Sequence, residues 1–243
     1  MDKGYEEKYH SIEQDHWWYT SRRLTILNMI EDLPRSTRIL DIGCSGGVLM
    51  LDLKAKGFTD VTGIDFSAEA IEQCKAKGLS NVFVMDAHFP DFKDEEFDLI
   101  IASDCLEHLE KDTVALQNWQ RILKKGGKGL IFVPAFMSLW SEHDVINHHF
   151  RRYTREELVT KAKGAGFKVN KASYWNFAMF FPTWMYRKMR NMSKSAKEQP
   201  EDHMDKFNPA VNSILKVWMK LENGLFGATG FPLGVSVMVS VNK

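Results

Sequence analysis

The decapeptide Arg38-Ile39-Leu40-Asp41-Ile42-Gly43-Cys44-Ser45-Gly46-Gly47 decides the reading of the whole chain. An apolar run closes on an acid, then on a glycine-rich turn, and passes at once into an amphipathic stretch that continues through Leu53. In a parallel sheet such a strand-to-helix turn lies at the carboxyl edge, where glycines let the backbone approach a ligand and the helix amides face it. The decapeptide therefore predicts both an α/β fold and the position of a ligand site within it.

Working outward, the same grammar repeats. VTGID (61–65) precedes a helix from Ser67 to Lys77, NVFVMD (81–86) follows, and FDLIIAS (97–103) leads to a helix from about Thr113 to Lys124 and then to GKGLIFVPA (127–135). Short apolar runs alternating with amphipathic stretches indicate a parallel sheet covered by helices on both faces, and LIIA and LIFV are continuously apolar, as doubly covered strands must be. Thr154-Arg155-Glu156-Glu157 opens a further helix as an N-cap with a nearby acid, ended by Gly164 and Gly166. FKVNKASY (167–174) and VSVMVSV (235–241) supply the sixth and seventh strands. The expected architecture is a doubly wound, seven-stranded, mostly parallel sheet in one domain over 1–243. A helical arm occupies 1–35, the ligand-binding core 36–174, a helical lid 175–230 and the last strand 231–243. Within the lid, 191–205 is polar and reads as a mobile linker, while Asn208 to Leu221 has helical periodicity.

Composition narrows the function. The 243 residues carry 32 basic and 32 acidic side chains, so no overall charge draws the chain toward polyanions, and nucleic acid is a disfavoured partner. Three scattered cysteines make neither a disulfide framework nor a Cys-x-x-Cys pair, and the polar N-terminus lacks the apolar run of a secretory signal. A reducing, cytoplasmic setting is expected. Tyr174 to Tyr186, followed by several basic residues, is shorter than the roughly 20 apolar residues a bilayer requires and contains Pro182. It reads as a core or lid helix, with peripheral contact at the inner membrane face through 174–197 as the alternative.

The acids at successive strand ends indicate the ligand. Asp65 closes the second strand, at the sequence distance from the glycine turn where an acid accepts ribose hydroxyls. Asp86 closes the third, one strand along the same edge, where it can accept an exocyclic adenine amine. A dinucleotide would require Gly-x-Gly-x-x-Gly/Ala, whereas this register has Ser45 and Val48 at the second and third positions. Asp41 would also repel a pyrophosphate, yet suits a ligand that carries an ammonium and a sulfonium. S-adenosylmethionine carries both.

LDIGCSGG, VTGIDFS, VMDAHF, FDLIIASDCLEHL and ILKKGGKGLIFVP, in this order, resemble the motifs of class I S-adenosylmethionine-dependent methyltransferases over about residues 37 to 170. Ser45 departs from the family, which usually places its middle glycine there. The resemblance implies cofactor contacts at Asp41, Gly43, Cys44, Ser45, Gly47, Asp65, Phe66, Asp86, Ala87, Ser103 and Leu106, with S-adenosylhomocysteine as product. His16-Trp17-Trp18-Tyr19-x-x-Arg22-Arg23 and the run from Trp140 to Tyr153 are similar, more loosely, to small-molecule enzymes related to the quinone O-methyltransferases. On that footing Arg22 or Arg23 meets the methionine carboxylate, and Trp17 and Trp18 close over it.

Methyl transfer from a sulfonium is an in-line displacement that needs alignment and desolvation more than an enzyme nucleophile. A poorly acidic acceptor adds the need for a general base, for which histidine serves near neutral pH. His143 or His148, in the loop after the fifth strand, is the expected base, with Tyr153 as a further catalytic candidate. Trp140, Arg151 and Arg152 are candidate substrate contacts. No resident metal is expected. Related quinone methyltransferases do place acids and a histidine where Asp104, Glu107 and His108 stand here, but such residues also serve widely as caps. The absence of Asn/Asp-Pro-Pro-Tyr after the fourth strand speaks against base-amino methylation. The expected activity is methyl transfer to an O or N atom of a small-molecule or lipid-like acceptor. A catalytically silent binding scaffold and an NAD-dependent oxidoreductase are the competing readings.

Overall fold

The computed structural model describes residues 12–193 and 208–243. The first eleven residues of the expected arm and most of the polar linker at 191–205 lie outside them. A seven-stranded sheet has the order β3-β2-β1-β4-β5-β7-β6. Its strands are β1 (Arg38–Ile42), β2 (Asp60–Asp65), β3 (Val82–Val84), β4 (Phe97–Ser103), β5 (Leu123–Pro134), β6 (Lys168–Trp175) and β7 (Ser236–Asn242). β1 to β5 pair in parallel, and β7 alone runs antiparallel to both its neighbours. The mostly parallel, doubly wound sheet expected from the sequence is the one observed.

Strand alternation sorts the core. Leu40, Ile42, Ile100, Ala102, Ile131 and Val133 face one side of the sheet, where Trp119 of α4 (Asp112–Ile122) is fully buried. Ile39, Ile101, Leu130 and Phe132 face the other, with Trp17 of α1 (Trp17–Met29) and Met50 of α2 (Val48–Ala55). Because side chains alternate with period two, Asp41 and Ser103 project from this second face, the one that α1 covers. The order reverses between β1 and β4, so their connections diverge and open a crevice at the carboxyl edge.

The remaining helices follow local signals. α3 (Ala68–Ala76) begins where the Ser67 side chain accepts the N–H of Ala70. α5 is Glu142–Ile146, and α6 (Arg155–Gly164) carries the expected cap, with Thr154 and Glu157 bonding each other's backbone N–H groups. The segment between β6 and β7 contains α7 (Phe180–Ser193) and α8 (Pro209–Thr229). Tyr174 and Trp175 belong to β6, not to the lid helix, and Asn176 turns the chain at φ 61°. Pro182 does not interrupt α7: it sits in the first turn, where a missing N–H has no intrahelical partner to lose. Among the described residues no helix is long and apolar enough to cross a membrane.

Candidate functional site

A cleft of about 1150 Å³ opens at the carboxyl edge of the sheet. Its walls have different origins. One is made of strand ends and the turns after them; the other comes from the loop after β5 and from α7.

On the first wall, the turn after β1 is held by one carboxylate. Asp65 accepts the N–H of Ser45 and the N–H of Ser67, both at 2.9 Å, and so ties the glycine turn to the start of α3. Gly43 and Gly47 adopt φ 76° and 77°, and Ser45, the departure from the glycine pattern, takes φ 49°. Gly47 is a packing requirement: a Cβ there would stand 2.4 Å from Leu79 Cδ1 and 2.8 Å from Cys74 Sγ. Asp41 is 3% exposed, and its Oδ2 has no hydrogen-bond partner among the described residues. Burial, reinforced by Glu13 and Asp65, pushes its carboxyl up to about 8. Asp86 accepts the N–H of His88 at 2.8 Å and is half exposed, and Phe66 stands 81% exposed beside Asp65.

On the second wall, Asp144 is fully buried at the centre of a network. It accepts Arg152 Nε at 2.7 Å, His149 Nδ1 at 2.8 Å and the Ser141 N–H at 2.8 Å. Desolvation works to raise this carboxyl, but the His149 hydrogen bond and the Arg152 guanidinium outweigh it and hold it well below the usual range. Burial lowers the His149 imidazole against the pull of Asp144. With Nδ1–H given to Asp144, the free base of His149 keeps its Nε2 lone pair available. His108 lies edge-on to His149 with ring centroids 4.6 Å apart, and burial takes it down to about 3. Glu107 is 1% exposed, its Oε2 is unpartnered among the described residues, and burial beside Asp104 pushes its carboxyl well above the ordinary value. Glu107, His108 and His149 each bring a donor atom within 4.8 Å of the others, so the neighbourhood of the weaker metal candidates is a real cluster, with His149 in the place of Asp104.

Of the residues singled out in the sequence, Gly43, Ser45, Asp65, Phe66, Asp86, Ala87, Ser103, Trp18, His143, His148 and Arg152 line the cleft, as do Asp104, Glu107 and His108. Others do not. Tyr153 is fully buried in the core, with its hydroxyl given to Asp112 at 2.9 Å, and burial raises that phenol far above its usual value. Arg151 pairs with Asp112 at 2.8 Å and donates to the carbonyls of Leu109 and Glu110, so it braces the loop and does not face the cleft. Arg22 is 2% exposed, donates to Asp104 at 3.1 Å and Ser236 at 2.7 Å, and lies over the rings of Trp175 and Phe132, fastening α1 to β4 and β7. Arg23 is similarly engaged with Asp52. Asp41, Cys44, Gly47 and Leu106 are buried behind the turns and do not line the cleft, and Trp140 lies outside the lining.

Sequence reading does not single out Asp144 as the organising acid, nor Glu13, whose carboxylate meets Ser45 Oγ at 3.3 Å. The signal for Asp144 is present as Ser141-x-x-Asp144, a capping box, but its bonds to His149 and Arg152 depend on the loop's folded path.

The chain is similar to known methyltransferases in sequence and in fold. A family model described as a methyltransferase domain matches residues 40–131. An uncharacterized protein of Methanocaldococcus jannaschii is 28% identical over 166 residues, covering 64% of this chain and 78% of its own. A ubiquinone biosynthesis O-methyltransferase of Xanthomonas oryzae is 28% identical over 131 residues, 51% of each chain, so the matched part spans about half of that relative. Among solved structures, a Thermotoga maritima protein described as a SAM-dependent methyltransferase, possibly a histamine N-methyltransferase, superposes with a TM-score of 0.60 at 18% identity, over 98% of this chain and 94% of its own.

Proposed function

Because the chain belongs to the class I S-adenosylmethionine-dependent methyltransferases, we propose that it methylates an O or N atom of a small-molecule or lipid-like acceptor held between the two walls of the cleft. The observation that carries this reading is Asp41. Its carboxyl lies behind the cleft lining with one oxygen unpartnered among the described residues, next to a turn that Asp65 fastens and that does line the cleft, so a cation bound at that turn would favour the charged form of Asp41.

When bound, the cofactor supplies an electrophilic methyl group on a sulfonium. Gly43 and Ser45 would face its positively charged end, with the Asp41 carboxyl behind them. Asp65 accepts ribose hydroxyls, Asp86 and Ala87 meet the adenine, and the exposed Phe66 offers it a ring face. Ser103 and Trp18 border the same space. On the far wall, a histidine of the loop after β5 takes the acceptor's proton. His143 and His148 remain candidates because both line the cleft, and His149 joins them because Asp144 fixes its tautomer and orientation. Arg152 holds Asp144 in its charged form.

The relative from Xanthomonas, described as a ubiquinone biosynthesis O-methyltransferase, makes ubiquinone precursors the first acceptors to test. A cytoplasmic protein with α7 at the inner membrane face fits such acceptors; Tyr174 and Trp175 are buried in β6, and 194–197 lie outside the described residues. The deciding experiment is calorimetric titration with S-adenosylmethionine, followed by radiolabelled methyl transfer into lipid and aqueous metabolite fractions. Saturable binding with label in a small-molecule fraction is expected. Cofactor binding with no transfer to any fraction would leave a silent scaffold, and binding of NADH in place of S-adenosylmethionine would overturn the reading.

A further inference from the structure

The two lid helices each turn an apolar face to solvent. On α7, Phe181, Trp184, Met185 and Met189 are exposed on successive turns, Met189 by 64%. On α8, Val211, Ile214, Val217, Trp218 and Leu221 form a second stripe, with Ile214 67% exposed. Their opposite faces are already used. Pro182, Thr183 and Tyr186 of α7 wall the cleft, Met219 of α8 is fully buried, and Glu222 accepts the N–H groups of Phe177 and Ala178. Helical spacing thus divides each helix into a spent face and an apolar one that soluble proteins seldom leave uncovered.

The charge on these helices has one sign. Among the described residues of 176–193 and 208–224, the basic side chains are Arg187, Lys188, Arg190, Lys216 and Lys220, and the acid is Glu222, which is buried. Arg187 and Arg190 turn inward to Leu139 and Glu142. Lys188, 4.8 Å from the Trp184 ring centroid, and Lys220 remain exposed. Tryptophan, phenylalanine and methionine on one face with lysines beside them is the arrangement by which helices lie in a lipid interface, and the lysines select anionic headgroups. A second copy would meet this face through a symmetric contact, which sets like charges against each other.

We propose that the outward faces of α7 and α8 dock this protein on an anionic phospholipid bilayer, which brings the cleft wall formed by α7 next to a membrane-borne acceptor. The last clause rests on the lipid-like acceptor of the proposed function; the docking itself rests on exposure and charge, so the two are separable.

The test is co-sedimentation of the full chain with phosphatidylcholine vesicles, with and without phosphatidylglycerol. Binding is expected only to the anionic vesicles, and it should weaken as salt rises. Neutralising each lysine should weaken partitioning about five-fold, so K188Q/K220Q loses about 25-fold, and W184S/L221S should lose binding as well. Calorimetric titration with S-adenosylmethionine, unchanged in both variants, verifies that they are folded. No binding to either vesicle, equal binding to both, or no response to K188Q/K220Q overturns the proposal. So does a lipid-independent dimer in sedimentation velocity that W184S/L221S dissociates, because the face then belongs to a second copy. Vesicle binding without methyl transfer to any lipid would sink the acceptor reading alone.

Discussion

The two walls of the cleft solve the same problem, a buried carboxylate, in opposite ways. At the strand edge Asp41 is left without a partner for Oδ2 among the described residues and its carboxyl is raised; across the cleft Asp144 is saturated by Arg152, His149 and the Ser141 amide and its carboxyl is depressed. A carboxyl kept incomplete is poised for a ligand, whereas one completed internally is a scaffold that aims other groups. The contrast fits the proposed function, in which the strand edge binds the cofactor and the loop after β5 positions the residues that meet the acceptor.

The largest expected effect tests the scaffold. Asp144→Ala leaves the Arg152 guanidinium, 2% exposed, without its partner, and should cost about 3–5 kcal/mol in urea unfolding. If S-adenosylmethionine affinity fell as much as stability, the two walls would not be separable. Next is Asp65→Ala, which removes a charged acceptor from two backbone amides and from the ribose. It should weaken cofactor binding about 100-fold by calorimetry, on the order of 2–3 kcal/mol, with a smaller loss of stability. An unchanged affinity would remove Asp65 from the site.

The pH dependence sharpens the contrast because the two walls have opposite signs. Asp41 has a folded value near 8, above that of the unfolded chain. Its contribution to stability is therefore complete in acid and is lost as pH rises through about 8. Asp144 is depressed, so its contribution is present above the unfolded carboxylate range and is lost on acidification below it. Thermal melts without cofactor should fall from about pH 5 toward pH 9 in the native protein and stay flatter in Asp41→Asn. Cofactor affinity should rise over pH 7 to 9 in the native protein only, since the charged form of Asp41 is the one that meets a cation. An identical melt profile in the variant would mean that Asp41 is already satisfied. The smallest effect is Gly47→Ala, expected to cost about 1–3 kcal/mol of stability through its positive φ and its crowding of Cys74, with cofactor affinity nearly retained.

What could be read beforehand follows the same division. The turn after Asp41 and the end of β2 at Asp65 are legible because strand, turn and helix signals are local, and parallel pairing sets them on one edge with Asp86, which follows β3 by two residues instead of closing it. The full burial of Tyr153 was not legible, because RRYT reads the same whether its tyrosine faces a cleft or a core. Pro182 was read as a break because nothing in YWNFAMFFPTWMY marks that β6 runs through Trp175 and α7 starts only at Phe180.

The sequence by itself determined the alternation of elements, the seven-stranded sheet and the acid-rich edge, since periodicity and turn chemistry act over a few residues. Tertiary structure alone decided which carboxyl stayed unpartnered, which histidine an acid would orient, and which helix faces were left to solvent. Those depend on contacts between distant parts of the chain, such as Arg22 with Ser236 and Phe177 with Glu222, that no local pattern encodes.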